Sequence, residues 1–201
     1  MEIRSFGNDA APRLSSGSRT IEGYAIVFGQ ESEVLYDRGK KRRFTEVIQP
    51  GAVTEDLLRR SDVKALLEHD AGRMLARSFK GTGTLTLDID SYGVKYRFEA
   101  PATQDGDYAV EMVRRGDLFG SSFAYATDER ANVRYEKRAD GMLMRYVDRI
   151  DWIGDVSIVS DPAYMGTDVE VRSLEQYYPE DRTDEGWQDA VAELRRLAET
   201  D

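Results

Sequence analysis

Unbroken alternation of apolar and polar residues is the feature that most restricts how this chain folds. Thr84-Leu-Thr-Leu-Asp-Ile-Asp90 alternates strictly, and Val94-Lys-Tyr-Arg-Phe98 does so again after Ser91-Tyr92-Gly93. A period of two sends successive side chains to opposite faces of a sheet, so the two segments read as the arms of one hairpin. The same pattern predicts strands at Glu2 to Phe6, Ile21 to Phe28, Arg43 to Ile48, Val63 to Leu67, Phe119 to Ala126, Val133 to Arg138, Met142 to Asp148 and Asp151 to Val159, with Ala139-Asp140-Gly141 as a second hairpin turn. Helical spacing is confined to Ala52 to Arg60, after Pro50-Gly51, and to Asp107 to Arg115, where Gly116 stands as a C-cap. Many short strands with few helices predict an α+β, mainly β fold: a closed or nearly closed β-barrel flanked by helices.

A length of 201 residues suits one such domain with a short tail. The tail is marked by charge, since Ser173 to Asp201 holds nine acids against three arginines. We therefore place the domain at 1–172, an acidic linker at 173–186 and an amphipathic helix at 187–201. In that helix Trp187, Ala190, Val191, Leu194, Leu197 and Ala198 share one face, after Asp184 as a candidate N-cap. Such a helix either docks on its own domain, the favoured reading, or serves as a handle for a partner.

The residue types missing from the chain narrow its chemistry. With no cysteine there are no thiol nucleophiles, disulfides or cysteine-held metals, and with one histidine, His69, a multi-histidine metal site is excluded. We expect no metal and no cofactor. The net charge of −10 disfavours nucleic acid as a partner. The run Arg38-Gly-Lys-Lys-Arg-Arg43 has no interleaved aromatics and reads first as a solvated loop. No apolar stretch is long enough to span a membrane and the N-terminus lacks the apolar core of a secretory signal, so a cytosolic protein with no membrane partner is expected.

Nucleophilic catalysis would then rest on serine, threonine, lysine or a carboxylate, and a serine–histidine pair must use His69. Ala65-Leu-Leu-Glu-His-Asp70 reads as an apolar strand ending in Glu-His-Asp and turning at Gly72, which puts the imidazole at a strand end. Gly120-Ser121-Ser122-Phe123 sets small residues at the start of an aromatic strand, although it is no Gly-x-Ser-x-Gly elbow. Asp155 lies within the apolar strand Ile153-Gly-Asp-Val-Ser-Ile-Val159, where a buried acid requires a partner. Each has an ordinary alternative: a surface histidine beside acids, a strand of small packing residues, an outward-facing acid.

Taken in order, several segments resemble the prohead (capsid-maturation) serine proteases of tailed phages. They are Gly23-Tyr-Ala-Ile-Val-Phe-Gly29, Phe44-Thr-Glu-Val-Ile-Gln-Pro-Gly-Ala52, Leu66-Leu-Glu-His-Asp70 running on to Leu75-Ala-Arg77, Gly116 to Tyr125, and Asp155-Val-Ser-Ile-Val-Ser-Asp-Pro-Ala-Tyr164. The resemblance spans about Ile3 to Tyr164 and implies a fold shared with herpesvirus assemblins, a barrel bearing a serine nucleophile and a histidine base. By position, His69 matches the family's histidine and Ser122 its serine, with Ser121 as the rival hydroxyl. Asp155 falls where the family usually carries a glutamate as third member. The resemblance further implies a serine endopeptidase acting in the bacterial host cytoplasm, inside the assembling prohead. It would cleave the scaffolding segment of the phage major capsid protein, and itself, with a homo-oligomer as a further partner state. Ser160 to Tyr164 is a candidate source of oxyanion-binding amides. The alternative is a catalytically inactive capsid-assembly or scaffold-binding protein on the same fold, and a carboxylesterase is a third reading.

Overall fold

The structure, a computed structural model, describes residues 1–6, 10–15, 17–32, 34–37 and 40–160. The expected linker and helix at 173–186 and 187–201, and residues 161–172 of the expected domain, lie outside the described residues. In chain order the elements are β1 (Glu2–Phe6), β2 (Arg13–Leu14), β3 (Thr20–Val27), β4 (Leu35–Asp37), β5 (Arg42–Ile48), α1 (Glu55–Arg60), β6 (Asp62–Leu67), β7 (Asp70–Phe79), β8 (Thr82–Gly83) and β9 (Leu85–Ile89). There follow β10 (Gly93–Glu99), α2 (Gln104–Arg115), β11 (Gly120–Ala126), α3 (Glu129–Asn132), β12 (Val133–Lys137), β13 (Leu143–Val147) and β14 (Trp152–Val159). The hairpins expected at Ser91-Tyr92-Gly93 and Ala139-Asp140-Gly141 form as the antiparallel pairs β9–β10 and β12–β13.

The strands do not close into a barrel. They form three sheets, ordered β1-β11-β14-β6-β7-β8, β2-β3-β10-β9 and β12-β13-β5-β4, and each ends in two edge strands. Alternation decides which side chains face inward and says nothing about which strand edges meet. Two of the pairings, β14 with β6 and β13 with β5, are parallel and join segments far apart in sequence, which distributes the strands over separate sheets. Nor do helices flank them. Strands take 53% of the structure, and among the described residues only α2, at twelve residues, exceeds two turns. The segment expected as a helix from Ala52 starts at Glu55, because the Thr54 hydroxyl accepts from the Leu57 amide and caps it there. Gly116 ends α2 at φ 79°, the left-handed conformation a glycine reaches without Cβ strain.

One face of the six-stranded sheet supplies the core. Phe6, Phe123, Tyr125, Val156, Ile158, Val63, Ala65 and Leu67 pack against Ile21 and Ala25 of β3, Tyr96 and Phe98 of β10, and the buried faces of α1 and α2. The Phe6, Phe123 and Tyr125 rings stack in series. The opposite face carries a row made by the register itself: Ser5 of β1 lies across from Ser122 of β11, Ser122 from Ser157 of β14, and Ser157 from Leu66 of β6. Asp155 sits two residues from Ser157 on the same face, as the period of two requires.

Candidate active site

His69 arrives on a two-residue turn. Leu67 of β6 pairs with Asp70 of β7, leaving Glu68 and His69 as the central residues, with φ of 51° and 56°. Positive φ at both positions is the signature of a type I′ hairpin, which usually recruits asparagine or glycine. Histidine tolerates this region better than most residues, whereas glutamate does not, and such strain persists only where the surroundings impose it. Here they do. The Glu68 amide donates to the Ile158 carbonyl at 3.1 Å, and its carboxylate accepts from the Ser160 amide at 2.7 Å, so both ends of the residue are tied to β14 and the chain just beyond it. The turn therefore lies at Glu68-His69 rather than at Gly72. Gly72 instead donates to the Asp70 carboxylate at 2.8 Å within the irregular start of β7.

From that turn the imidazole reaches back over β14. His69 Nδ1 lies 2.7 Å from Asp155 Oδ1, and Nε2 lies 2.6 Å from Ser122 Oγ. All three residues are buried, Ser122 completely. Ser157 adds a further bond: its hydroxyl donates to Asp155 Oδ1 at 2.8 Å and stands 3.2 Å from His69 Nδ1. Asp155 Oδ1 thus takes two donors, while Oδ2 has no hydrogen-bond partner among the described residues. On its far side Ser122 Oγ accepts from the Ser5 hydroxyl at 2.8 Å and lies 2.9 Å from the Arg4 carbonyl.

Ser121 points the other way. Its hydroxyl donates to the Ala10 carbonyl at 2.8 Å and bonds the Tyr96 hydroxyl at 2.9 Å, on the core face of β11. The sequence reading named neither Ser157 nor Ser5. The first had a signal, because a serine two residues along a strand from Asp155 shares its face. The second had none, since its partner is 117 residues away.

A family model described as caudovirus prohead serine protease matches residues 9–179. The chain belongs to that family. No curated protein and no solved structure matches it. The match covers His69, Ser122 and Asp155, and it makes the chain a member of a serine protease family of phage capsid maturation.

Of the amides at Ser160 to Tyr164, only that of Ser160 is described, and it is engaged by Glu68. Among the described residues no group of three or more potential ligands is placed to hold a metal ion, and no helix is long and apolar enough to cross a membrane. Lys40 and Arg42, from the basic run, are engaged by Glu129 and Asp37, and Arg42 stacks over the Tyr135 ring at 4.5 Å.

Behind the site lies a buried ion cluster. Arg4 donates through Nε and Nη2 to Glu46 at 2.7 and 3.1 Å, and Arg145 donates to Glu2 at 2.7 and 2.8 Å and to Glu46 as well. The Tyr125 hydroxyl donates to Glu46 at 2.9 Å. Burial alone would push the Glu46 carboxyl up, but Arg4 and Arg145 outweigh it and hold it below its ordinary value. Burial likewise opposes the Arg4 charge, yet Glu46 and Glu2 hold its proton more firmly than usual. Burial, then Glu46, push Tyr125 well up, so it stays a hydroxyl donor.

Proposed function

We propose that this prohead protease is a serine endopeptidase with Ser122 as nucleophile, His69 as general base and Asp155 as the acid that orients it. The observation that carries the reading is the continuous chain from Ser122 Oγ to His69 Nε2 and from Nδ1 to Asp155 Oδ1, at 2.6 and 2.7 Å. Nδ1 faces a carboxylate that can only accept, so the ring carries its proton there and Nε2 is free to take one from Ser122. The Ser122 oxygen then bonds the scissile carbonyl carbon, the carbonyl π pair moves to its oxygen, and His69 passes the proton on to the departing amine. Water hydrolyses the acyl-serine by the same route in reverse. Because Ser122 is fully buried, a movement that uncovers it precedes substrate binding, which fits an enzyme restrained until assembly.

The substrate we infer is the scaffolding segment of the phage major capsid protein, cut in the host cytoplasm inside the assembling prohead, with the chain's own acidic linker at 173–186 as a second target. The 187–201 helix would carry the enzyme into the procapsid, and a chain truncated after residue 172 should then be packaged less than the full chain. Intact-mass spectrometry of the chain, alone and with capsid-protein precursor, tests the activity beside Ser122→Ala, His69→Ala and Ser121→Ala. Cleavage kept in Ser121→Ala and abolished in the other two is expected. Absence of cleavage in every sample, including precursor assembled into proheads, would favour the inactive assembly protein, and turnover of small esters without peptide cleavage would favour an esterase.

A further inference from the structure

We propose that Ser5 is a further catalytic residue, whose hydroxyl donates to the Ser122 oxygen and meets the negative charge that develops there. This rests on Ser122 and His69 being nucleophile and base, and adds to them a group from the opposite end of the chain.

Among the described residues three groups touch Ser122 Oγ: His69 Nε2 at 2.6 Å, the Ser5 hydroxyl at 2.8 Å and the Arg4 carbonyl at 2.9 Å. In the attacking state Nε2 is an acceptor, because Nδ1 holds the ring proton against Asp155. A carbonyl has no proton to give. Of the three, Ser5 alone can donate to the nucleophile. As the Ser122 O–H bond breaks toward Nε2 and the Oγ–C bond forms, the partial charge on Oγ is repelled by the Arg4 carbonyl and attracted by the Ser5 O–H, which keeps its own proton throughout. Such a donor, fixed before the reaction begins, acts with particular effect in a buried site.

The fold goes to some length to hold Ser5 there. Alternation along β1 sends the Arg4 side chain to the buried Glu46 and the Ser5 side chain to the opposite face, directly across from Ser122. Glu2 and Arg4 together bind β1 to Glu46 of β5 and Arg145 of β13, which belong to a different sheet. Residues 2–6 also lie outside the 9–179 stretch that identifies the family, so this contribution is no part of that match.

Ser5→Thr and Ser5→Val have the same shape and differ in the hydroxyl alone. The experiment follows the rate at which a fluorophosphonate probe labels Ser122 in the full chain, with Ser122→Ala as the blank and thermal melting alongside. Wild type and Ser5→Thr should label at similar rates, and Ser5→Val about ten- to a hundredfold more slowly with the melting temperature of Ser5→Thr. Ser5→Ala, which adds no bulk, should slow labelling by the same factor as Ser5→Val. Equal rates in Ser5→Thr and Ser5→Val, whether both fast or both slow, would overturn the role of the hydroxyl and leave the assignment of Ser122 standing. Absence of labelling at Ser122 in the wild type, both in the free chain and in precursor assembled into proheads, would sink that assignment and Ser5 with it.

Discussion

A serine hydroxyl has one proton, and at Ser122 two acceptors compete for it: the His69 ring and the Arg4 carbonyl. Whatever keeps the ring aimed at Ser122 therefore governs the outcome, and Ser157 does this through Asp155. Ser157→Ala should slow phosphonate labelling of Ser122 by about tenfold or less, the scale of one lost hydrogen bond. Asp155→Asn, which offers an amide where a carboxylate is needed, should cost about 10⁴ in turnover. Adding Ser157→Ala to Asp155→Asn should cost little more, because the serine acts through the acid it replaces. Ser121→Ala should label normally yet lose about 1–3 kcal/mol in denaturant titrations, since it strands the Ala10 carbonyl and the Tyr96 hydroxyl in the core. The choice between the two serines was latent in the sequence. Phe123 and Tyr125 belong to the core, so alternation puts Ser121 with them and Ser122 on the other face. What pattern could not supply was the partner of each hydroxyl, because those contacts cross strands that lie far apart in the chain.

At the scale of elements, the β6–β7 turn carries the greatest burden, holding a glutamate in a conformation that suits it poorly beside a histidine that tolerates it better. Of its two ties to β14 and the chain beyond it, the one a side-chain substitution can remove is the bond from the Ser160 amide to Glu68. Glu68→Ala removes that tie while keeping the strained backbone, so it should slow labelling of Ser122 and lower stability by about 1 kcal/mol, read by melting and labelling on the same preparation. The sequence revealed β9 and β10 to within a residue or two through their alternation, and β6, β11 and β14 as short apolar runs, since β11 and β14 are buried on both faces. It failed for β7, where the glycine at 72 and its aspartate-bonded loop mimic a turn that is in fact an irregularity inside a ten-residue strand. The two-residue strands β2 and β8 are too short for any period to register.

For the whole molecule, the decisive contacts are those between sheets, and they were the least legible. Each strand's faces could be read, but three open sheets and one barrel place the same residues inward. The buried pairing of Glu2 and Arg4 with Glu46 and Arg145 had no local signature at all, since ion pairs between distant strands leave no spacing to detect. That cluster predicts a pH response. Glu46 binds its proton more weakly folded than unfolded, so its contribution is complete above the ordinary value of 4.5 and drains away as pH falls from there through the lower folded value. Denaturant titrations stepped downward from neutral pH should show this loss. Glu46→Gln should be less stable at neutral pH by about 3–5 kcal/mol and show a flatter acid limb. The same cluster bears on when the enzyme comes into being. Strand β1 leaves the ribosome ahead of the other described strands, but Ser122, across from Ser5 in the sheet, follows 117 residues behind it, and Asp155 later still. A chain interrupted between β11 and β14 holds Ser122 and His69 without Asp155 to hold the ring, so the three groups can meet only once β14 has been made.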